Sequence, residues 1–86
     1  MGILRTYIYD NVSIASNAHL ASPNAKIIFK GNTVIAERLT IHTGNHARVL
    51  GTYIIDIDDF NKPSGYDHDV VVEKDVWIGS NVTILA

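Results

Sequence analysis

Four histidines are the side chains best suited to proton chemistry in this sequence: His19, His42, His46 and His68. Imidazole ordinarily titrates near neutral pH, so it can take a proton from an attacking hydroxyl and return it to a leaving group. His46 is placed best for this, because it closes "HTGNH" (42–46), where a regular repeat gives way to a long non-repeating stretch. Judged by residue type alone, a single histidine that begins a loop is more often an ordinary solvated one. His42 follows Ile41 and His19 precedes Leu20, so both are expected to point away from an interior lined by those aliphatics. His42, His46 and His68 together would supply the three ligands of a catalytic zinc that keeps a fourth position open. The His-x3-His spacing, however, suits a helix face better than the corner between short strands. Asp56, Asp58 and Asp59 suggest calcium, but Asn61 stands where the EF-hand loop needs glycine. A solvated acidic loop is the simpler reading of that run.

The elements that must position these groups are legible in a period of six. Aliphatic or aromatic residues recur at Ile8, Ile14 and Leu20, again at Phe29, Ile35 and Ile41, and again at Val72, Ile78 and Ile84. Four residues after most of them comes a small or aliphatic side chain: Val12, Ala18, Thr33, Leu39, Val76 and Val82. Asn24 and Asn45 break this second column, each where a block is about to end. Turn-forming pairs fill the gaps, as at Asp10-Asn11, Gly31-Asn32, Lys74-Asp75 and Ser80-Asn81. Six matches neither the helical 3.6 nor the alternation of a long strand. It does match a short strand followed by a sharp corner, three of which close a triangular coil stacked at about the 4.8 Å strand spacing. The predicted fold is therefore all-β, with about three coils over residues 8–45 and 70–86 of a single partial domain spanning 1–86. A β-sandwich of alternating strands is the competing fold, and it would not keep this period through three blocks.

Two interruptions shift the phase. Residues 21–28 add three positions around Pro23-Asn24, and residues 46–69 form a long loop excursion carrying Gly51, Pro63 and Gly65. Loops of that length inside a small domain are usually functional or disordered. Tyr53, Ile54, Ile55 and Ile57 are worth burying, so the excursion is expected to pack beside the prism or against another subunit.

Composition narrows the function classes. There are 86 residues, no cysteine and a net charge of −2, so neither disulfides nor a basic field for nucleic acid is available. The charge-free run 11–25 contains Asn, Ser and His and is no membrane span. No signal-peptide pattern opens the chain, and a soluble cytoplasmic protein is the expectation. Ile and Val dominate the apolar residues, which favours strands.

The blocks "IASNAH", "IAERLT" and "IGSNVT", and more loosely "IYDNVS", resemble the hexapeptide repeat of acyl-coenzyme A transferases. "VVVEKDVWIGSNVTIL" (70–85) is similar to a segment shared by galactoside, maltose and capsular-sugar O-acetyltransferases, and "IAERLTIHTGNH" (35–46) resembles the coil before their acceptor loop. The resemblance covers roughly residues 8–85. It implies a left-handed parallel β-helix, against the usual right-handed crossover. It also implies acetyl transfer from acetyl-CoA to a sugar or polysaccharide hydroxyl, with His46 as catalytic base. Ser80 and Trp77 match positions nearest the coenzyme, although an outward Trp77 is as readily a subunit contact. Asn17, Asn24 and Tyr53 are candidate substrate contacts, the first two through a match that needs a one-residue gap. Members of this group are usually homotrimers with active sites between neighbours, and no metal is expected. The chain stops at Ala86 in mid-repeat, without the further coils that carry most coenzyme contacts in the related enzymes, so it reads as C-terminally truncated. A self-associating β-helix fragment without activity is the alternative. A γ-carbonic-anhydrase-like metal enzyme, which shares the fold, is the second.

Overall fold

The computed structural model describes residues 5–58 and 60–86, and among them nine short strands carry the architecture. In chain order they are β1 (Thr6–Ile8), β2 (Val12–Ile14), β3 (His19–Ala21), β4 (Ile27–Phe29), β5 (Thr33–Ile35), β6 (Thr40–His42), β7 (Val70–Val72), β8 (Trp77–Ile78) and β9 (Thr83–Leu85). The chain visits three sheets in turn, so the sheets are ordered β1-β4-β7, β2-β5-β8 and β3-β6-β9. Every pairing is parallel. The all-β expectation therefore holds, and the topology is consistent with a parallel β-helix of three coils. Face-to-face packing of antiparallel sheets does not occur among the described residues.

Register shows where the period is kept and where it is broken. Thr6 lies opposite Ile27, Val12 opposite Thr33 and His19 opposite Thr40, a constant offset of 21 residues from the first coil to the second. Ile27 lies opposite Val70, Ile35 opposite Ile78 and Ile41 opposite Ile84, a constant offset of 43. An unbroken circuit of three six-residue steps takes eighteen residues, so the two interruptions add three and twenty-five. Both fall at the same corner of the prism, between the third sheet and the first.

The apolar columns meet inside. Ile27, Phe29, Ile35, Leu39 and Ile41 of the middle coil are at most 1% exposed, and Val70, Val72 and Ile78 close over them. Val12, Ile14, Leu20, Val76, Val82 and Ile84 of the outer coils pack on this centre and are only partly buried. Interior dispersion contacts need neighbours on both sides, which the middle coil alone possesses. Thr33 takes an inward position in the second column, and its buried hydroxyl has no hydrogen-bond partner among the described residues.

The other two corners are made by single residues in left-handed backbone. Asn11, Asn32 and Asp75 have φ between 53° and 61° at the first corner, and Asn17, Arg38 and Asn81 between 59° and 62° at the second. Asparagine and aspartate tolerate this region better than other non-glycine residues. The corners are also laddered between coils: Asn11 Nδ2 donates to Asn32 Oδ1 at 3.1 Å, and Arg38 Nε donates to Asn81 Oδ1. Gly31 precedes Asn32 at φ +126°, where a Cβ would lie 2.7 Å from the Asp10 carbonyl oxygen, so only glycine fits there.

The excursion is expected from its sequence to pack beside the prism or against another subunit, and within the single chain it packs little on the prism. Among its described residues the one regular element is a 3-10 turn (Ile54–Asp56) with no buried residue. Ile57 is half-buried, but Leu50, Ile55 and Phe60 are almost fully exposed and Tyr53 is 80% exposed. Ala47 is buried at the root, but most large apolar side chains of the excursion are not covered by the prism. No described helix is long and apolar enough to cross a membrane.

Candidate active site at the interrupted corner

The third corner, which carries both insertions, opens into a cleft of about 420 Å³. Its walls include Pro23 and Asn24 from the short insertion, His42 at the end of β6, Gly44 to His46 just beyond it, and Lys62 and Asp67 from the returning excursion. The local sequence explains how these meet. Thr43 continues inward from β6 and is fully buried, its Oγ1 donating to the carbonyls of Ala21 and Ala25 at 3.4 Å each. Gly44 follows, where a Cβ would lie 3.2 Å from the Pro23 ring and 3.4 Å from Asp67 Oδ1. The close approach of the two insertions at this point depends on the missing side chain.

A polar network fixes the root of the excursion. Lys62 Nζ donates to Asp67 Oδ1 at 2.9 Å and lies 2.7 Å from Oδ2, with both side chains largely buried. The Asn45 backbone N–H donates to Asp67 Oδ1 at 3.1 Å, and Asn24 Nδ2 donates to Oδ2 at 3.4 Å. The Lys62 hydrogen bond, above all, holds the Asp67 carboxyl below its usual titration range, against the opposing effect of burial. The Asn45 N–H, the Lys62 charge and the Asn24 amide act in the same direction. The Asn45 amide in turn donates to the carbonyl oxygens of Tyr66 (2.8 Å) and Ala86 (2.6 Å), and Lys62 also donates to the Asn45 carbonyl at 3.2 Å. With its oxygens committed to these donors, Asp67 is a structural anion and not the base of this cleft.

His46, the sequence candidate for a base, lines the cleft. It is exposed at the lip, and its imidazole makes no hydrogen bond among the described residues. Its backbone is fixed between the Asn45 network and the buried Ala47. Asp58 also lines the cleft, but its Oδ1 accepts from the backbone N–H groups of Phe60 and Asn61. The cleft thus gathers amide, ammonium and carboxylate groups with two imidazoles, His42 in the wall and His46 at the lip.

The chain is matched by no protein-family model, no curated protein and no solved structure.

The remaining sequence candidates are distributed over the molecule. Asn24 lines the cleft with His46, and His42 forms part of its wall. Asn17 stands at the second corner with φ +62°, as a turn residue. Tyr53 lies away from the cleft, in a groove formed by residues 48–54 of the excursion. Ser80 is also at the second corner, with Oγ 3.5 Å from Glu37 Oε1, and Trp77 projects outward from the second sheet beside Val34, 80% exposed. Within one chain, then, Ser80 and Trp77 occupy a different wall and corner from His46. No group of three His, Cys, Asp or Glu among the described residues is arranged to hold a metal, so His42, His46 and His68 do not assemble the zinc site considered above. Asp59 of the acidic run lies outside the described residues.

Lys62, Asp67 and Asn45 were not singled out as site residues from the sequence. Asn45 had a signal, because it interrupts an otherwise apolar column. Lys62 and Asp67 had none, since nothing in a non-repeating stretch marks two residues five apart as the clasp of a loop.

Proposed function

We propose that this chain carries the acceptor side of an acetyl-CoA-dependent O-acetyltransferase acting on a sugar or polysaccharide hydroxyl. The observation that carries the reading is the exposed His46 imidazole on the lip of a polar cleft, at the corner where hexapeptide-like coils are interrupted. The acceptor hydroxyl would attack the thioester carbonyl while His46 takes its proton. The tetrahedral oxyanion then collapses, the C–S bond breaks, and His46 returns the proton to the thiolate, leaving an acetyl ester and coenzyme A. In this reading the coils wind left-handedly, as the repeat resemblance implies. The donor is held by Ser80 and Trp77, which are both solvent-exposed. Because they stand on another wall than His46, the complete site would form between copies, and a homotrimer in the cytoplasm is the proposed state.

The test is acetyl transfer from acetyl-CoA to a panel of sugars, with and without His46→Ala. A general base is worth about 10²- to 10⁴-fold in rate, and a loss of that size is expected. Undiminished turnover in the variant removes His46 from the mechanism.

A second reading, a self-associating module without coenzyme binding, is favoured by the apolar outer walls, where Tyr7, Val34, Val71 and Trp77 are all more than 40% exposed. Calorimetric titration with coenzyme A separates the two, since only the enzyme reading predicts heat of binding.

A further inference from the structure

The outer face of the third sheet brings two histidines together in a way that the proposed transfer chemistry does not use. His19 on β3 lies opposite Thr40 of β6, and His42 lies opposite Ala21, so the two histidines are diagonal neighbours on adjacent parallel strands. Side chains in this relation point to the same face and are within reach of each other. Their rings have turned together: the centroids are 5.2 Å apart, with planes inclined at 42°. His19 is exposed and His42 half-buried, so the space beside the pair is open to solvent.

We propose that His19 and His42 form a bidentate chelate for a divalent transition metal of the imidazole-preferring kind, with zinc as the reference ion. Zinc takes imidazole nitrogens at about 2.0–2.1 Å in tetrahedral geometry, which sets two rings on one ion with their centres about 5 Å apart. The pair already has this separation. No third His, Cys, Asp or Glu joins them among the described residues, so water completes the coordination and the ion stays exchangeable. Neutral imidazole also suits Cu²⁺ and Ni²⁺, and the order of affinities should place Cu²⁺ above both Ni²⁺ and Zn²⁺. The proposal is independent of acetyl transfer, although His42 also lines the cleft that holds His46.

The experiment is calorimetric titration of Zn²⁺ into the purified chain and into His19→Gln, His42→Gln and His68→Gln, with circular dichroism to verify that each variant keeps its fold. One zinc per chain is expected, with affinity reduced at least tenfold in the first two variants and unchanged in the third. A second readout needs no variant: in the parent chain, substoichiometric Zn²⁺ should shift the ring resonances of His19 and His42 before those of His46 and His68. The proposal is overturned if millimolar zinc does not bind, if His19→Gln binds like the parent, or if the resonances of His46 or His68 move first.

Discussion

The middle coil and the excursion are held by opposite kinds of force. Residues 27–41 place Ile27, Phe29, Ile35, Leu39 and Ile41 in an interior that excludes water almost completely. The excursion leaves Leu50, Ile55 and Phe60 in solvent and is tied down at its root by Lys62, Asp67, Asn45 and Asn24. The prism is thus stabilised by apolar stacking, which depends on a neighbour above and below. The excursion depends on charge-assisted hydrogen bonds at one corner. This difference teaches why the candidate site is where it is. The corner spread by two insertions opens into the cleft that holds His46, and polar groups are what hold the insertions together.

Substitutions should separate the two regions. The largest effect is expected for Phe29→Ala, which deletes a fully buried ring from the middle coil. A loss of about 3–5 kcal/mol in denaturant unfolding is predicted, enough to unfold a marginal domain outright. A cost below about 1 kcal/mol would mean that the coils do not stack as described.

Next comes Asp67→Ala, which removes the acceptor of the Asn45 N–H and the counter-ion of Lys62, while Lys62 keeps its bond to the Asn45 carbonyl. Leaving a part-buried N–H without its acceptor costs about 1–3 kcal/mol, and the effect should be local: faster amide exchange at Asn45 and through 62–68, with the middle coil still protected. The same pair gives a pH dependence of fixed sign. The folded state holds Asp67 below its usual range, so the unfolded chain binds more protons in that window. The stabilisation is complete above about pH 4, the ordinary carboxylate range, and is lost as pH falls through the lower folded value. Asp67→Asn should flatten this part of the profile, as read from amide exchange of Asn45 in acid.

Thr33→Val tests the interior of the middle coil from the other side. It removes a buried hydroxyl with no partner among the described residues and keeps the shape, so a gain of about 1 kcal/mol is expected in thermal or denaturant unfolding. A loss would mean that the hydroxyl has a partner in solution. The smallest effect belongs to Ile55→Ser in the excursion, where a change within about 0.5 kcal/mol is predicted because the side chain is 91% exposed. A larger loss would show that the excursion packs on something after all.

Much of the prism was legible because its cause is periodic. Phe29, Ile35 and Ile41 sit at the same phase in successive steps, and the corners at Asn11, Asn32, Asp75 and Asn81 follow from residues that accept left-handed backbone. Arg38 adopts the same backbone at φ +61° without any turn signal, in the same corner column as Asn17 and Asn81. The site was legible only in part. His46 and Asn24 share a cleft, but Asn17 and Tyr53 do not join them, because proximity there depends on how two insertions of different length return to one corner. Burial of Tyr53, Ile54 and Ile55 is expected from the sequence against the prism or another subunit, and the prism walls leave all three exposed.

Backbone NOEs across the three ladders test the geometry on which both regions depend. Ile27 should show contacts to Thr6 and Val70, Ile35 to Ile14 and Ile78, and Ile41 to Leu20 and Ile84, all in parallel register. Cross-peaks that instead pair consecutive strands in antiparallel register, such as β4 with β5, would contradict the three-walled prism and remove the corner on which the candidate site is built.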